Sequence, residues 1–482
     1  MSRSLPSVGL DMRQIRTDLD LAGRRVHFVG IGGIGMSALA QALLRRRAVV
    51  SGSDLRESDI TARLREMGAE IAVGHAAQHA EGAEVLVYSD AVPDDNVERV
   101  WAVKHDIPVR SRSELLGWLM RGRRGIAVAG THGKTTVCAM IGVILQDAGR
   151  DPTVLVGGEV DALGGNARLG EGPEVVAEAC EAYEGYLDLE PEIALVTNIE
   201  ADHLDHHGTE AALRESFRRF LARITPGGTA VLCWDRPELR ALAERVEARV
   251  VGYSASPESA QADYRAEAIA PEGTRSRFRL VTPAGERDAT LSAPGQHNLA
   301  NAVGAAAVAG ILGVPLDTIV GALAEYRGVA RRFERLGEVN GVLVIDDYAH
   351  HPTEIRATLA AARQAFRGRL VVVFQPHLYS RTRDLLDDFA AAFDDADITI
   401  ITDIYPAREA PIPGVSAEAI VTRARARNPE QEIDFVSPKE AVARHLIPRL
   451  QAGDVVLTLG AGDVDMVARE LLREHGCAGS AA

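Results

Sequence analysis

Cysteine is scarce in this 482-residue chain, which has only Cys138, Cys180, Cys233 and Cys477. These four form no CxxC pair and no spacing typical of a zinc site, so we expect reduced thiols in the cytoplasm. The first twenty residues contain no apolar stretch of the kind that a secretory signal requires. The longest notable apolar segment, 302–314, is too short to cross a bilayer. We therefore expect a cytoplasmic protein with no membrane partner.

Basic residues are also fewer than acidic residues in this chain. The chain has 53 lysines and arginines against 68 aspartates and glutamates, and its net charge is −15. That balance argues against nucleic acid or an anionic membrane as the main partner. An anionic small molecule stays compatible with it, since glycine loops and a few basic side chains act locally. Aromatic residues make up 5% of the chain against 46% hydrophobic residues and 45 glycines, a composition typical of soluble α/β proteins.

Short apolar runs bounded by glycine alternate with amphipathic stretches along most of the chain, which predicts βαβ units and largely parallel sheets. A length of 482 residues favours three domains over one. A basic, glycine-bearing stretch at 121–125 and a second break near Gly328 predict domains at 1–120, 121–328 and 329–482. Polar–apolar alternation between Tyr264 and Pro294 predicts a small antiparallel patch in the middle domain.

The strongest local motif is Ala129-Gly-Thr-His-Gly-Lys-Thr-Thr136, which follows a predicted strand and precedes a predicted helix. Backbone N–H groups of such a loop, together with the helix N-terminus, cradle phosphate oxygens. Lys134 would reach the β- and γ-phosphates, and the Thr135 hydroxyl would contact Mg²⁺. The motif departs from GxxxxGK[ST], because Val128 stands five positions before Gly133. The alternative is a glycine turn with a surface lysine, which the flanking strand and helix disfavour.

A second glycine motif, Gly30-Ile-Gly-Gly-Ile-Gly35, satisfies GxGxxG after a predicted strand, and Asp54 closes the next strand. By itself this pattern indicates a dinucleotide-binding unit and an NAD-dependent dehydrogenase. The same pattern is compatible with a tight turn that binds no ligand. It is also compatible with a ligand other than a dinucleotide whose pyrophosphate lies at the helix N-terminus. The dehydrogenase interpretation leaves the loop at 129–136 unexplained.

Polar side chains follow several later strands. Glu178 ends one predicted strand, and His203 lies in the segment after the next. A carboxylate and an imidazole there suit a second Mg²⁺, although a solvated loop histidine is an equally good interpretation of His203. The segments 345–352 and 374–383 carry Asp, Tyr, His and Arg after apolar strands, where open α/β sheets bind ligands. These two segments could instead be capped loops that stabilise the domain. The number of such polar clusters outside the predicted ATPase domain disfavours a non-catalytic nucleotide switch.

Seven segments, taken in order, resemble the Mur ligase family: GIGGIGMSALA, AGTHGKTT, TNIEADHLD, APGQHNLANA, GVARRFE, DDYAHHPTE and FQPHLYSRTRD. The resemblance covers nearly the whole chain. It implies an α/β protein of three domains: an N-terminal Rossmann-like domain, a central P-loop ATPase with a parallel sheet plus the antiparallel patch, and a C-terminal Rossmann-like domain. It also implies ATP-dependent amide formation through an acyl phosphate, with Mg²⁺, in peptidoglycan precursor synthesis.

Within the family, the segment Leu459–Asp463 resembles that of members joining L-alanine to UDP-N-acetylmuramate, rather than those adding a tripeptide to the same sugar. ATP, UDP-N-acetylmuramate and L-alanine are therefore the implied partners. We expect a monomer or a weak homodimer.

The resemblance implies four groups of site residues. The UDP-sugar group is Gly32, Gly33, Ile34, Gly35, Ser37, Asp54 and Ser89. The ATP group is Gly130, Thr131, His132, Gly133, Lys134, Thr135 and Thr136, with His297 and Asn301 at adenine and Asp346 at ribose. The metal group is Thr135, Glu178 and His203, and the catalytic set is Lys134, Glu178, His203 and Arg332. The pocket for L-alanine is Tyr348, His350 and Arg381.

The chain departs from the family pattern in three places. Ala179-Cys-Glu-Ala-Tyr183 stands where many relatives have Ala-Asp-Glu-Ser-Asp, which weakens the expected polar support for the second metal. Leu378 replaces an arginine of several relatives, so the carboxylate of L-alanine should depend more on Arg381. Arg218 and Arg219 lie on the helix where sister ligases use a carbamoylated lysine, a role that arginine cannot take.

Overall fold

A computed structural model describes residues 21–200, 204–259, 261–407 and 409–479. The chain forms two compact units. The first comprises the described residues up to Glu267 together with Arg279–Ala289 and Ala300–Leu323. The second comprises Ala268–Phe278, Thr290–Leu299 and the described residues from Ala324 onward. Three sheets, each flanked by helices, form the frame of the fold.

The first sheet is parallel throughout. Its elements are β1 (Arg25–Val29), α1 (Ile34–Arg45), β2 (Val49–Asp54), α2 (Asp59–Glu66), β3 (Glu70–Val73), β4 (Val85–Tyr88), α3 (Val97–Lys104), β5 (Val109–Ser111) and α4 (Arg112–Met120). The strand order is β3-β2-β1-β4-β5, and every neighbouring pair is parallel. The order reverses at β1, so the turn after β1 lies at the switch point where such sheets bind ligands.

The second sheet has ten strands. Its elements are β6 (Arg124–Ala129), α5 (Lys134–Asp147), β7 (Thr153–Val160), β8 (Gly165–Arg168), β9 (Glu174–Glu178), β10 (Ile193–Val196), α6 (Leu204–His207), α7 (Glu210–Leu221), β11 (Thr229–Cys233), α8 (Pro237–Ala243), β12 (Arg249–Ser254), β13 (Tyr264–Glu272), β14 (Arg275–Thr282), β15 (Gly285–Leu291), α9 (Gln296–Ile311) and α10 (Leu316–Glu325). The strand order is β15-β14-β13-β12-β11-β10-β6-β9-β7-β8.

Most neighbours in this second sheet are parallel, and β8 joins β7 in the antiparallel sense. Connections of two residues separate β13, β14 and β15, which are neighbours in the sheet. Only antiparallel neighbours accept connections this short. The predicted antiparallel patch between Tyr264 and Pro294 is therefore present. Strands β6 and β10 are almost completely buried, as expected for parallel strands covered on both faces.

The third sheet has six strands. Its elements are β16 (Glu334–Val339), β17 (Val342–Asp347), α11 (Pro352–Ala365), β18 (Leu370–Phe374), α12 (Tyr379–Asp384), α13 (Leu386–Ala390), β19 (Ile398–Ile401), α14 (Glu418–Arg427), β20 (Ile433–Phe435), α15 (Val442–Leu446), β21 (Val455–Leu459) and α16 (Asp465–Gly479). The order is β16-β17-β21-β18-β19-β20, in which only the edge strand β16 pairs antiparallel.

Two apolar cores cover the faces of the third sheet. One packs α11, α13 and α14 against the sheet, and the other packs α15 and α16 against the opposite face. The predicted α/β class with parallel sheets in the first and last domains and a mixed central sheet is confirmed. No helix in the described part of the chain is long and apolar enough to cross a membrane.

Candidate functional site

The loop between β6 and α5 requires glycine at two positions. Gly130 has a φ of 130°, and a Cβ there would lie 2.0 Å from Oγ1 of Thr197. Gly133 has a φ of 86°, and a Cβ there would lie 2.7 Å from Oδ1 of Asn301. Other residues rarely adopt this left-handed conformation, and neither site has room for a side chain. The two glycines of the predicted phosphate loop are thus required by the local backbone.

Residues that follow β10 hold this loop in place through hydrogen bonds. The backbone N–H of His132 donates to Oδ1 of Asn198 at 2.9 Å, and Oγ1 of Thr197 donates to the carbonyl of His132 at 2.6 Å. The hydroxyl of Thr131 accepts from the backbone N–H of Glu200 at 2.9 Å. Strand β10 runs parallel beside β6, which brings its following residues to the loop. The TNIE part of the sequence motif therefore shapes the loop.

Lys134 begins helix α5, and its ammonium is folded back over the loop. Nζ lies 2.9 Å and 3.0 Å from the two carboxylate oxygens of Glu181 and 3.0 Å from the carbonyl oxygen of Thr131, and it also donates to the carbonyl of Gly130. Burial, the largest single effect, lowers the pKa of Lys134, but the charge of Glu181, its hydrogen bond and the charges of nearby acidic groups together raise that pKa above its ordinary value. The lysine is therefore a permanent cation in this loop.

Glu178 ends β9 directly beside the strand that carries the loop, in register with Val128. Its Oε1 accepts from the backbone N–H of Gly157. Thr135 and Thr136 lie in the first turn of α5 and are mostly buried. Thr135 and Glu178 supply a hydroxyl and a carboxylate, the hard oxygen donors that Mg²⁺ prefers, so their chemistry fits that ion. His203, the third predicted metal ligand, lies outside the described residues.

The glycine turn after β1 is supported by Asp54, whose Oδ2 accepts from the backbone N–H of Gly32 at 2.8 Å. A Cβ on Gly30 would lie 3.3 Å from Cβ of Ser89, at the end of β4. The structure therefore brings the predicted Asp54 and Ser89 to the turn. The Ser37 hydroxyl, in contrast, is buried and donates to the carbonyl of Ile34 at 2.9 Å, so its predicted contact with a UDP-sugar stays a prediction.

A cavity of about 300 Å³ opens beside this turn. Gly33, Gly35 and Ser89 line it on one side, and Glu178 lines it from the second sheet. Arg112, the first residue of α4, also lines the cavity, and a Cβ on Gly35 would lie 3.4 Å from its guanidinium. Arg112 was not predicted as a site residue from the sequence, because it lies in no recognised motif and reaches the turn only through the fold.

Asn166 on β8 joins the second sheet to the helix that follows the glycine turn. Its amide nitrogen donates to the carbonyl of Ile34 at 2.7 Å and to the hydroxyl of Ser37 at 2.9 Å. Its amide oxygen accepts from Nε2 of Gln41 at 3.0 Å. All of these groups are buried or nearly so. This link is one of the contacts that join the two sheets in one compact unit, and the sequence contains no signal for it.

Three residues outside the loop, His297, Asn301 and Asp346, are predicted to contact the nucleotide, and their environments in the structure differ. His297 and Asn301 lie one turn apart on α9, and the amide of Asn301 is beside Gly133. Asp346 is buried, and its two oxygens accept from Nε of Arg331 at 2.9 Å and from Oγ1 of Thr458 at 2.5 Å. Because both oxygens are engaged within the protein, a contact of Asp346 with ribose stays a prediction.

The guanidinium of Arg332 lies over the ring of Tyr348, with its carbon atom 4.9 Å from the ring centre. Nη1 of the same arginine lies 3.9 Å from Oε1 of Glu354. The neighbouring Asp347 accepts from the backbone N–H groups of Phe333 and Ala349, and burial raises its pKa to about 6. Asp347 therefore organises the loops that present Arg332 and Tyr348, a role that the sequence analysis missed.

The predicted pocket for the amino acid forms an aromatic and cationic cluster in the second unit. The Tyr348 and His350 rings meet edge to face, with centres 5.4 Å apart, and His350 meets His377 at 5.8 Å. Nη1 of Arg381 lies 3.3 Å from Nδ1 of His377, and His377 stacks on Tyr405. The structure thus brings Tyr348, His350 and Arg381 together. His377 lies in a quoted motif but was not assigned a role, and Tyr405 comes from outside every motif.

Leu378, the departure noted in the sequence, immediately precedes helix α12 at its N-cap position and has a φ of 73°. A branched side chain rarely adopts that conformation, and such backbone strain is found more often near functional sites. The structure therefore adds a conformational constraint to a position that the sequence marked only by its missing arginine.

The three sheets correspond to three family models. The model for "Mur ligase family, catalytic domain" matches residues 25–124, "Mur ligase middle domain" matches 128–309, and "Mur ligase, glutamate ligase domain" matches 331–462. The UDP-N-acetylmuramate–L-alanine ligase of Geobacter sp. (strain M21) is 49% identical over 451 residues, which cover 93% of this chain and 97% of that protein. Its counterpart in Myxococcus xanthus is 47% identical over 451 residues, 93% and 94% of the two chains.

Solved structures have the same architecture. The UDP-N-acetylmuramate–alanine ligase of Thermotoga maritima superposes with a TM-score of 0.80 at 29% identity, covering 94% of this chain and 99% of that one. A murein peptide ligase of Psychrobacter arcticus superposes with a TM-score of 0.72 at 26% identity, again over 94% and 99%. Three segments match family models in order, and relatives are nearly half identical over most of the chain. This chain therefore belongs to the Mur ligase family.

Proposed function

We propose that this chain is an ATP-dependent ligase that joins L-alanine to the lactyl carboxylate of UDP-N-acetylmuramate in peptidoglycan precursor synthesis. The similar chains of Geobacter and Myxococcus are named for this reaction. The lactyl carboxylate attacks the γ-phosphorus of ATP, which forms an acyl phosphate and releases ADP. The amine of L-alanine then attacks the acyl carbon, phosphate leaves, and the amine loses a proton. The products are the amide, ADP and phosphate.

The observation that carries this proposal is the cavity shared by the first two sheets. Its lining combines a glycine turn, the basic side chain of Arg112 and the carboxylate of Glu178, which ends the strand beside the phosphate loop. A pyrophosphate on the glycine turn and a nucleotide on the phosphate loop would then be held near one space. A dehydrogenase has no use for the second of these sites.

The residues of the chain act mainly by placement and by reducing charge repulsion. Two anionic groups must approach each other in the first step, and Lys134 offers a permanent positive charge where they meet. Arg332 is proposed to add a second positive charge at the phosphates. The helix N-terminus that follows Gly133 contributes backbone N–H donors to the phosphate oxygens.

Mg²⁺ is the ion that we propose for this site, with Thr135, Glu178 and His203 as its protein ligands. When bound, it would neutralise the charge of the phosphates and favour displacement at the γ-phosphorus. Glu178 is held at the end of β9 by the backbone of Gly157, so its carboxylate stays in a defined place.

Further assignments follow the family pattern and are part of the same proposal. His297 and Asn301 would contact adenine, and Asp346 would contact ribose. Tyr348, His350 and Arg381 would form the pocket for L-alanine, in which the guanidinium binds the carboxylate. The UDP-sugar would contact the turn from Gly32 to Gly35 with Ser37, Asp54 and Ser89. We also propose domain boundaries near 120 and 328, action in the cytoplasm, and a monomer or weak homodimer.

The proposal is tested by measuring phosphate release from ATP with UDP-N-acetylmuramate and one amine at a time: L-alanine, glycine, L-serine, and the tripeptide that murein peptide ligases add. We expect rapid release with L-alanine and a product one alanine residue heavier than the UDP-sugar by mass spectrometry. Preference for the tripeptide would reassign the chain to the peptide ligases, a candidate supported by the structural likeness to the Psychrobacter protein.

Two controls separate this proposal from its alternatives. Lys134→Ala should abolish phosphate release while the UDP-sugar still raises the melting temperature, because that ligand binds the folded chain elsewhere. NADH should give no thermal shift. A shift with NADH and none with the UDP-sugar would support the dehydrogenase instead.

A further inference from the structure

The ammonium of Lys134 has a complete set of partners before any nucleotide is considered. An ammonium has three N–H donors. In this structure the acceptors are the carbonyls of Gly130 and Thr131 and the carboxylate of Glu181. To contact a phosphate oxygen, the ammonium must release at least one of them. The two carbonyls belong to the loop itself and stay close to Nζ, which leaves Glu181 as the partner to be exchanged.

The Lys134–Glu181 pair is shielded from water. The side chain of Glu181 is only 3% exposed, and that of Lys134 is 15% exposed. A buried pair is screened little by solvent, so Glu181 attracts the ammonium more strongly than a surface carboxylate would. A carboxylate and a phosphate are both anionic acceptors for the same cation, and therefore they compete for it.

The segment that carries Glu181 is held in place by its own contacts. The Glu181 carbonyl accepts from the backbone N–H of Glu184 at 3.0 Å and lies 3.2 Å from Nε2 of His207. Tyr183 and Glu184, two and three residues further on, have φ values of 52° and 55°, which few side chains adopt without compensation. The position of Glu181 beside the loop is thus built into the local structure.

We propose that Glu181 is a positioning residue that acts as the internal counter-ion of Lys134 and is exchanged for the phosphates of ATP when the nucleotide binds. This inference rests on the proposed function, because it concerns the same phosphate loop. Glu181 stands where the pattern Ala-Asp-Glu-Ser-Asp also has glutamate, so the departures at positions 180, 182 and 183 leave this carboxylate in place beside the lysine. Glu181 keeps the loop folded and neutral without nucleotide, and it weakens nucleotide binding by competing for the ammonium.

The test is calorimetric titration of the full chain with ADP and with a non-hydrolysable ATP analogue, without and with Mg²⁺. Glu181→Gln keeps the shape and removes the charge that competes with phosphate. We expect its nucleotide dissociation constant to fall severalfold and its melting temperature without nucleotide to fall as well. In a Lys134→Ala background the same substitution should leave nucleotide affinity unchanged, because the contested cation is absent.

Glu184→Gln is the matched control, since Glu184 lies three residues away and pairs with Ser216 and Arg219 instead. It should leave nucleotide affinity at the wild-type value. If Glu181→Gln does not fold, Glu181→Asp retains the charge on a shorter side chain and should shift the affinity in the same direction by less.

Unchanged or weaker nucleotide binding by the folded Glu181 variant would overturn the inference. If the wild-type chain bound no nucleotide, the proposed function itself would fail, so the two failures are distinguishable. Equal effects of Glu181→Gln with and without Lys134 would also overturn the exchange, because they would show that the carboxylate acts through another group.

Discussion

The amide nitrogen of Asn166 donates to the hydroxyl of Ser37 at 2.9 Å, and both side chains are almost completely buried. Asn166 belongs to the second sheet, whereas Ser37 lies in the first turn of the helix that follows the glycine turn. One side chain thus connects the proposed UDP-sugar site to the sheet that carries the phosphate loop. An amide that no motif contains therefore contributes to joining two of our proposed ligand sites within one compact unit.

Asn166→Ala should destabilise this unit, because it removes the acceptor of the buried Gln41 amide and one of the donors to the carbonyl of Ile34. Each such loss costs roughly 1–3 kcal/mol of unfolding free energy. Denaturant unfolding measures that cost, and steady-state kinetics should show a raised KM for the UDP-sugar. Asn166→Asp keeps the shape without the two N–H donors and should also destabilise. Wild-type stability in both variants would contradict this role for Asn166.

Arg112→Ala should raise the KM for UDP-N-acetylmuramate and leave that for ATP nearly unchanged, because Arg112 lines the cavity at the glycine turn. A charge-assisted hydrogen bond contributes roughly 1.5–3 kcal/mol, or about ten- to hundredfold in affinity. Arg110→Ala is the matched control, since Arg110 lies two residues earlier and 3.9 Å from Glu114. An equal effect of both substitutions would mean that general charge, not the position of Arg112, matters.

Glu178→Gln should raise the Mg²⁺ concentration needed for half-maximal activity, because it removes an anionic ligand while the amide oxygen still accepts from Gly157. The measurement is phosphate release across a range of Mg²⁺ concentrations. Glu171→Gln changes an exposed carboxylate that precedes β9, at the opposite end of that strand from Glu178, and should have no effect. An unchanged Mg²⁺ dependence in Glu178→Gln would make this residue structural.

Arg381→Ala should raise the KM for L-alanine roughly ten- to hundredfold, the effect of losing a charge-assisted contact with its carboxylate. Arg381→Lys should recover only part, because an ammonium cannot form the two parallel bonds of a guanidinium. Arg383→Ala is the control, since Arg383 is exposed and pairs with Asp384. Loss of ATP affinity with normal alanine affinity would instead assign Arg381 to the phosphates.

Glu98 supports a prediction about pH and stability in the first sheet. It is fully buried at 2.9 Å from Nε2 of His27, and His75 and His79 also approach it. Burial alone would raise the pKa of Glu98, but hydrogen bonds from His27 and Ser53 outweigh it and lower that pKa from 4.5 to about 2. A carboxyl with a lowered pKa stabilises the fold above its ordinary pKa, and this stabilisation is lost as pH falls from 4.5 towards 2.

Glu98→Gln should therefore reduce the unfolding free energy at pH 7 by roughly 3 kcal/mol and flatten its fall between about pH 4.5 and pH 2. Denaturant titrations at several pH values provide the measurement. The exposed pair of Glu84 with Arg24 offers the control, because Glu84→Gln should change stability little. A variant of Glu98 with the wild-type pH profile would show that the cluster does not couple to folding.

The sequence predicted the features that depend on local chemistry. Gly130 and Gly133 were recognisable because a phosphate loop needs left-handed backbone and close approach, which only glycine permits. The alternation between Tyr264 and Pro294 predicted an antiparallel patch because strand periodicity is readable within a few residues. These patterns, with the motifs that resemble the family, were sufficient for the fold class and the family.

Tertiary structure decided which distant residues complete each site. Glu181 meets Lys134, Arg112 meets Gly35, and Asn166 meets Ser37 only because strands far apart in the chain lie side by side. From the sequence, the departures within 179–183 indicated weakened support for a metal, whereas in the fold Glu181, which matches the family pattern, pairs with the lysine. Periodicity and spacing report which face of an element is buried. They do not identify the residue that packs against that face, because strand register and helix packing depend on the whole core.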